Sequence, residues 1–374
     1  MPVMNDLSSV TPLLAIETSC DDTACAILDS EGTILSQAVL SQESHAALGG
    51  VVPEIAARAH LEVLPQLVDL TLQRAQLSLQ DIRYFAATIG PGLIGGLIVG
   101  SSYAKGLAIA QKKPFIGINH IEGHILTPRL PYALKKQEIE SLTFPYLALL
   151  MSGGHCQCLL IEDIGAYRPL GRTIDDAAGE AFDKVAKMLG LGWPGGPALE
   201  ALAQEGDPKS FPLPRPLKGR EGCDFSFSGL KTAVARIIQP YGQQALPRLI
   251  AANIAASFQQ AVSDIMEDRI EHALQMAPPV TTLVVAGGVA ANKKLRATLN
   301  AVASRHNIAF SAPPLALCTD NAVMIGWAAL ERLRQGERPR DIALPPRPRW
   351  PLSERKVFSA SLGQKTIAAT EAML

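Results

Sequence analysis

The sequence predicts an α/β protein of two related lobes with a ligand cleft between them. Three observations carry this. The stretches LLAIETSCDDTACAIL at 13–28 and YLALLMSGGHCQCLL at 146–160 open the two halves alike, each a buried strand, a short polar turn and a second apolar strand. A polar, irregular stretch over 131–144 separates them. The 374 residues, 48% hydrophobic and 18% charged, hold enough apolar material for two packed lobes. The expected layout is a disordered tail at 1–11, a first lobe at 12–130 and a second at 142–319. A final helix at 320–335 is expected to return to the first lobe, followed by a basic, proline-rich tail at 336–374.

Periodicity orders the elements. Residues 13–18 read as a buried strand, and alternation resumes at 24–28 and 34–40, a three-stranded meander. Pro53 suits a first helical turn, and Ile55, Ala59, Val63 and Leu67 fall on one face of the helix it opens. A strand at 84–89 ends at Gly90-Pro91-Gly92, and a glycine-spaced helix follows. Gly92, Gly96 and Gly100 recur every fourth residue, a pattern that lets a buried helix approach its neighbour closely. The 13 residues of that apolar stretch, 92–104, are too few to span a bilayer, so no membrane partner is expected. A short strand at 115–118 runs straight into His120. In the second half, strands at 146–151 and 156–161 precede a helix over 176–189. Residues 191–229 are rich in Gly, Pro and Phe and lack clear periodicity. A long helix over 246–275, a strand at 281–286, a helix from about Asn292 and a last helix at 320–333 complete the chain.

Composition narrows the function. The net charge is −1, so a nucleic-acid partner needs a local basic patch. The tail supplies the strongest one, Arg338, Arg340, Arg347, Arg349, Arg355 and Lys356 among prolines and Trp350; it reads as a solvated linker or a phosphate-backbone contact. The six cysteines form no CxxC and no disulfide framework, which points to reduced thiols in the cytoplasm. MPVMNDLSSVTP has no basic segment leading into an apolar one and does not read as a secretory signal.

Several short motifs offer chemistry. His120 and His124 sit four apart, on one face of a helix, where both imidazoles reach one ion; a third ligand is still required. The pair reads equally as two ordinary histidines. The protease motif HExxH is not met, because Ile121 follows His120 and Glu122 comes one residue late, about 100° around the helix. Thr319 or Asp320 reads locally as a helix N-cap. Ser152-Gly153-Gly154 and Gly287-Gly288 are turns whose backbone N–H groups can face a phosphate, or plain tight turns, and a helix N-terminus after the second would favour an anion. Asp175 and Asp176 suit a helix dipole, and Asp183 is either solvated or a ribose contact. The 17–23 turn, ETSCDDT, is a hairpin turn or a phosphate or cation contact.

Taken in order, ETSCDDT, GPGLIGGL, NHIEGH, LLMSGGH, DDAAGEAFDK, PGGP, FSFSGLK, VVAGGVAAN and TDNAVMIG resemble the TsaD family, once described as O-sialoglycoprotein endopeptidases. The resemblance runs from Leu13 to Leu333. It implies the two-lobed actin/hexokinase/Hsp70-like fold. It implies transfer of a threonylcarbamoyl group from threonylcarbamoyl-AMP to N6 of the tRNA adenosine just 3′ of the anticodon, with TsaB and the ATPase TsaE as partners. The metal pattern falls on His120, His124 and Asp320, with Fe2+ the usual ion and Zn2+ chemically suited. The adenylate pattern falls on Leu150, Met151, Ser152, Gly153, Gly154, Asp183, Gly196 and Asn292. Glu200 stands where some relatives carry an aspartate and is not carried over. No general base or nucleophile is assigned.

Overall fold

The computed structural model describes residues 7–42, 50–131, 142–192, 194–242, 244–337 and 341–354. Two five-stranded sheets share one topology. The first contains β1 (Leu13–Glu17), β2 (Asp22–Leu28), β3 (Ile34–Ser41), β4 (Tyr84–Gly90) and β5 (Phe115–Asn119), ordered β3-β2-β1-β4-β5. The second contains β6 (Tyr146–Met151), β7 (Cys156–Asp163), β8 (Ala166–Arg172), β9 (Thr282–Ala286) and β10 (Ala309–Ser311), ordered β10-β9-β6-β7-β8. In each sheet the opening strand pairs antiparallel with the second and parallel with the fourth. The repeat read from the two opening stretches is therefore a repeat of whole sheets.

The opening strands are buried on both faces, which is why they read as unbroken apolar runs. Leu14 and Ile16 face an outer core with α1 (Pro53–Ala75) and α2 (Ile94–Ala110). Leu13 and Ala15 face a core that also takes Tyr146, Ala148 and Leu150 of the other sheet. Between the sheets lie α3 (His120–Leu126) and the last helix, α9 (Ala322–Arg334). The far face of the second sheet packs α4 (Ala178–Met188), α5 (Gly195–Ala203), α6 (Ser228–Ile238), α7 (Arg248–Met276) and α8 (Lys293–Arg305). Among the described residues, no helix is long and apolar enough to cross a membrane.

Four sequence readings are corrected. The buried face of α1 runs through Ala56, His60, Leu64, Leu67, Val68, Thr71 and Leu72; of the expected residues Leu67 is buried, Ala59 and Val63 are half-buried and Ile55 is exposed. His60 disguised that face; it is buried because Thr23 Oγ lies 2.8 Å from Nδ1 and the Cys20 carbonyl 3.0 Å from Nε2. The 191–229 stretch, which shows no clear periodicity, contains α5 and the start of α6; Gly195-Gly196-Pro197 forms the first turn of α5, where proline is tolerated. Strands β8 and β10 are half-exposed edge strands without an apolar run, and β8 carries Pro169, which an edge accepts. The disorder expected at 1–11 does not hold from Leu7 on, since Leu7 and Val10 are buried in the inter-sheet core.

Candidate active site

The site begins where β5 runs into α3. Asn119 caps the helix, its Oδ1 accepting from Ile121 N at 2.9 Å and Glu122 N at 3.3 Å. His120 and His124 then sit one turn apart, with ring centroids 4.7 Å apart. Gly123 lies against Met324 and Ile325, where a Cβ would stand 3.1 Å from each side chain, so α3 and α9 approach closely. At the start of α9 the cap is Asn321, whose Oδ1 accepts from Met324 N at 2.9 Å. The local reading of Thr319 or Asp320 as the cap is thereby corrected, and the Asp320 carboxylate is left to the histidines. Its Oδ1 lies 3.0 Å from His124 Nε2 and 3.6 Å from His120 Nε2.

A second carboxylate stands behind the first histidine. Glu17, at the end of β1, places Oε2 3.2 Å from His120 Nδ1 and accepts from Ser19 N and the Thr88 hydroxyl. Ser19 Oγ lies 3.0 Å from the same ring nitrogen. Nδ1 is thus occupied and Nε2 faces Asp320. Burial opposes protonation of His120, but Asp320 and Glu17 override it and lift its pKa to about 9. Burial likewise resists the charge on Asp320, and His120 with His124 holds it well below the usual carboxylate range. His155 also faces the group, its ring 6.3 Å from that of His120. Burial, with the two neighbouring imidazoles, lowers its pKa to about 4.

One donor atom from each of His120, His124 and Asp320 lies within 4.8 Å of the other two. Two imidazoles and one carboxylate, with a buried carboxylate behind a ring nitrogen, are a donor set suited to a divalent cation, whose charge would replace that of an imidazolium among two carboxylates.

Two cavities meet here. One, about 320 Å³, is lined by the 19–22 turn, Pro91, Gly92, His120, Asp320, His155 and Ser152-Gly153-Gly154. The other, about 290 Å³, is lined by Phe182, Asp183, Pro194, Gly196, Pro197, Glu200, Val289 and Asn292. Gly153, Gly288 and Thr319 border both. At Gly153, Gly154 and Gly196 a Cβ would meet nothing within 4 Å, so packing does not require glycine there and the space is open to a ligand.

Six of the eight residues expected to bind an adenylate border the cavities; Leu150 and Met151 do not, because they are fully buried in β6 with side chains in the two cores. The helix terminus after Gly287-Gly288 is not an open anion site either. Asn292 Oδ1 accepts from Leu295 N at 3.0 Å, and Glu200 Oε1 accepts from Lys293 N at 2.7 Å. Burial raises the Asp183 carboxyl, while the Gly195 and Gly196 N–H groups pull it down. Sequence reasoning passed over His155, although it directly follows the Gly153-Gly154 turn; it placed Glu17 in a polar turn suited to a phosphate or cation but missed its contact with His120, since nothing local ties it to a histidine 103 positions away.

Two duplicated α/β lobes around a cleft define the actin/hexokinase-like class. A solved HypF from T. kodakarensis shares that fold, with a TM-score of 0.55 and 14% identity over 88% of this chain and 48% of that one. The profile of the TsaD family, described as tRNA N6-adenosine threonylcarbamoyltransferase, matches residues 33–327. The tRNA N6-adenosine threonylcarbamoyltransferase of Gluconobacter oxydans is 67% identical over 95% of this chain and 97% of its own. That of Granulibacter bethesdensis is 58% identical over 91% and 93%. The chain belongs to the TsaD family.

Proposed function

We propose that the chain transfers the threonylcarbamoyl group of threonylcarbamoyl-AMP to N6 of the adenosine immediately 3′ of the anticodon, in tRNAs reading codons that begin with adenine. The observation that carries this is the junction of the two cavities at Gly153, Gly288 and Thr319. One arm is lined by His120 and Asp320 of the His-His-Asp group; the other offers the apolar faces of Phe182, Pro194 and Val289 and the Asp183 carboxylate. An acyl-adenylate has the matching halves, a polar carbonyl arm and a purine riboside.

The exocyclic amine is a poor nucleophile because its lone pair is delocalised into the purine, so orientation and charge stabilisation carry the rate. A bond forms from N6 to the carbamoyl carbon, the bond from that carbon to the phosphate oxygen breaks, N6 loses a proton and AMP departs. His120, His124 and Asp320 would hold one divalent ion, with Fe2+ expected and Zn2+ compatible. When bound, the ion supplies Lewis acidity to the carbonyl arm. Glu17 and Ser19 fix the His120 ring through Nδ1. The Ser152-Gly153-Gly154 turn presents backbone to the departing phosphate. TsaB and the ATPase TsaE are the proposed protein partners, and the cytoplasm the place of action.

Peptide hydrolysis is not favoured. Glu122 is fully buried, and its Oε1 accepts from the Tyr167 hydroxyl at 2.7 Å. A small-molecule kinase would give the His-His-Asp group no task.

Mass spectrometry of tRNA nucleosides, after incubation with threonylcarbamoyl-AMP and the partner proteins, tests the reaction. N6-threonylcarbamoyladenosine should appear with the wild-type chain and vanish with His120→Ala or His124→Ala, which should stay folded and lose bound metal. Full activity in a metal-free double variant would defeat the metal role.

A further inference from the structure

We infer, on the premise that His120, His124 and Asp320 hold the ion, that Asn119 is a positioning residue for that site and that the C-terminal segment sets it. Residues 341–354 form a strap along the protein. Their short turns Asp341–Ala343 and Leu352–Glu354 lie against β5 and β8, so the strap starts on the first sheet and ends on the second. Ile342, Leu344 and Trp350 pack in the first lobe's outer core, and Leu352 packs between the sheets. Between these anchors the strap's backbone bonds to the edge of the cleft at three places. Arg347 N–H donates to Ile89 O at 2.6 Å, Pro348 O accepts from Gly92 N at 3.1 Å, and Trp350 O accepts from Asn119 Nδ2 at 2.9 Å.

The last of these bonds reaches the histidines. Asn119 is fully buried, and its Oδ1 already accepts from the first turn of α3. Its amide has one workable orientation, because exchanging O and N would set an NH2 against two N–H donors and an oxygen against the Trp350 carbonyl. A helix cap needs only the acceptor. The donor half ties the strap to the helix that carries both imidazoles, and the neighbouring Pro348–Gly92 bond ties it to the cavity wall. The basic tail expected from the sequence is, in its described part, a component of the site's framework.

The test is Co2+ titration of the full-length chain, read by visible absorption, with His120→Ala as the blank. Asn119→Asp keeps the cap, since aspartate caps as well as asparagine, and turns a second oxygen onto the Trp350 carbonyl. We expect about tenfold weaker Co2+ binding and an altered visible spectrum, the scale typical of lost outer-shell support. Far-ultraviolet circular dichroism should be unchanged, and amide exchange over 341–354 should speed up. Trp350→Ala, which withdraws the anchor without touching either cavity, should weaken Co2+ binding in the same direction. Wild-type affinity and spectrum in Asn119→Asp would overturn the inference, whether or not Trp350→Ala folds. Were the wild-type chain to bind Co2+ no better than His120→Ala, the metal reading would fall and this inference with it.

Discussion

Asp320 is available to the histidines because its neighbour carries the cap of α9. Both residues are common N-caps, and only one can take the position. Asn321 takes it, with Oδ1 on Met324 N at 2.9 Å and Nδ2 donating to Thr319 O at 2.8 Å. This division of labour makes Asn321→Ala informative. Loss of the cap should cost about 0.5–2 kcal/mol, measured by denaturant unfolding. The orphaned N–H groups would then compete for Asp320, so Co2+ affinity should fall as well. Asn321→Asp should restore most of the stability. If Asn321→Ala lowers stability and leaves Co2+ affinity unchanged, the cap and the ligand are independent. A single sequence could not separate the two roles, because nothing local distinguishes Asp320 from Asn321 as a cap. That His120 and His124 share one helix face was legible from the four-residue spacing alone. That Asp320 joins them was legible only through the ordered motifs, since 196 positions separate His124 from Asp320.

At the scale of elements, the glycines of α2 do what their spacing implied. A Cβ on Gly96 or Gly100 would overlap Thr18, whose hydroxyl donates to the Gly96 carbonyl at 2.8 Å. Thr18 precedes Ser19, so the helix presses directly on the turn that faces His120. Gly106, further along the same helix, is exposed and would meet nothing within 4 Å. The two positions should therefore respond oppositely to one substitution. Gly106→Ala should stabilise by up to about 1 kcal/mol, the propensity difference in a helix. Gly100→Ala should destabilise by about 1–3 kcal/mol, the cost of overpacking, and lower transferase activity as the turn shifts. Thermal or urea unfolding of both variants checks the sign. Equal effects at the two sites would mean that α2 is free to move away from Thr18. The strands and this helix were legible because burial on both faces leaves an unbroken apolar run. Strands β8 and β10, and helix α5, were not, because edge burial and a Gly-Gly-Pro start carry no such signal. The α1 face was right at Leu67 and displaced by about one residue before it, because a hydrogen-bonded histidine stands in the core where an apolar residue was sought.

At the scale of the molecule, the cleft must admit a polyanion although the chain carries a net charge of −1. A local cationic edge is then required, and its strength should follow salt. The strap brings Arg349, exposed, and Arg347, half-buried, beside Gly92 at the rim of the cavity that holds His120. Arg338, Arg340, Arg355 and Lys356 lie outside the described residues. Both strap arginines follow the path of a backbone fixed by hydrogen bonds, so their guanidinium groups start from a defined place. Replacing both with alanine should weaken tRNA binding at low salt. It should also flatten the dependence of log affinity on log salt, by roughly one unit for each phosphate that the arginines neutralise. Binding of free AMP should not change, because neither side chain lines the glycine-walled cavity. An unchanged salt slope in the double variant would place the tRNA phosphates elsewhere and leave the strap its framework role alone.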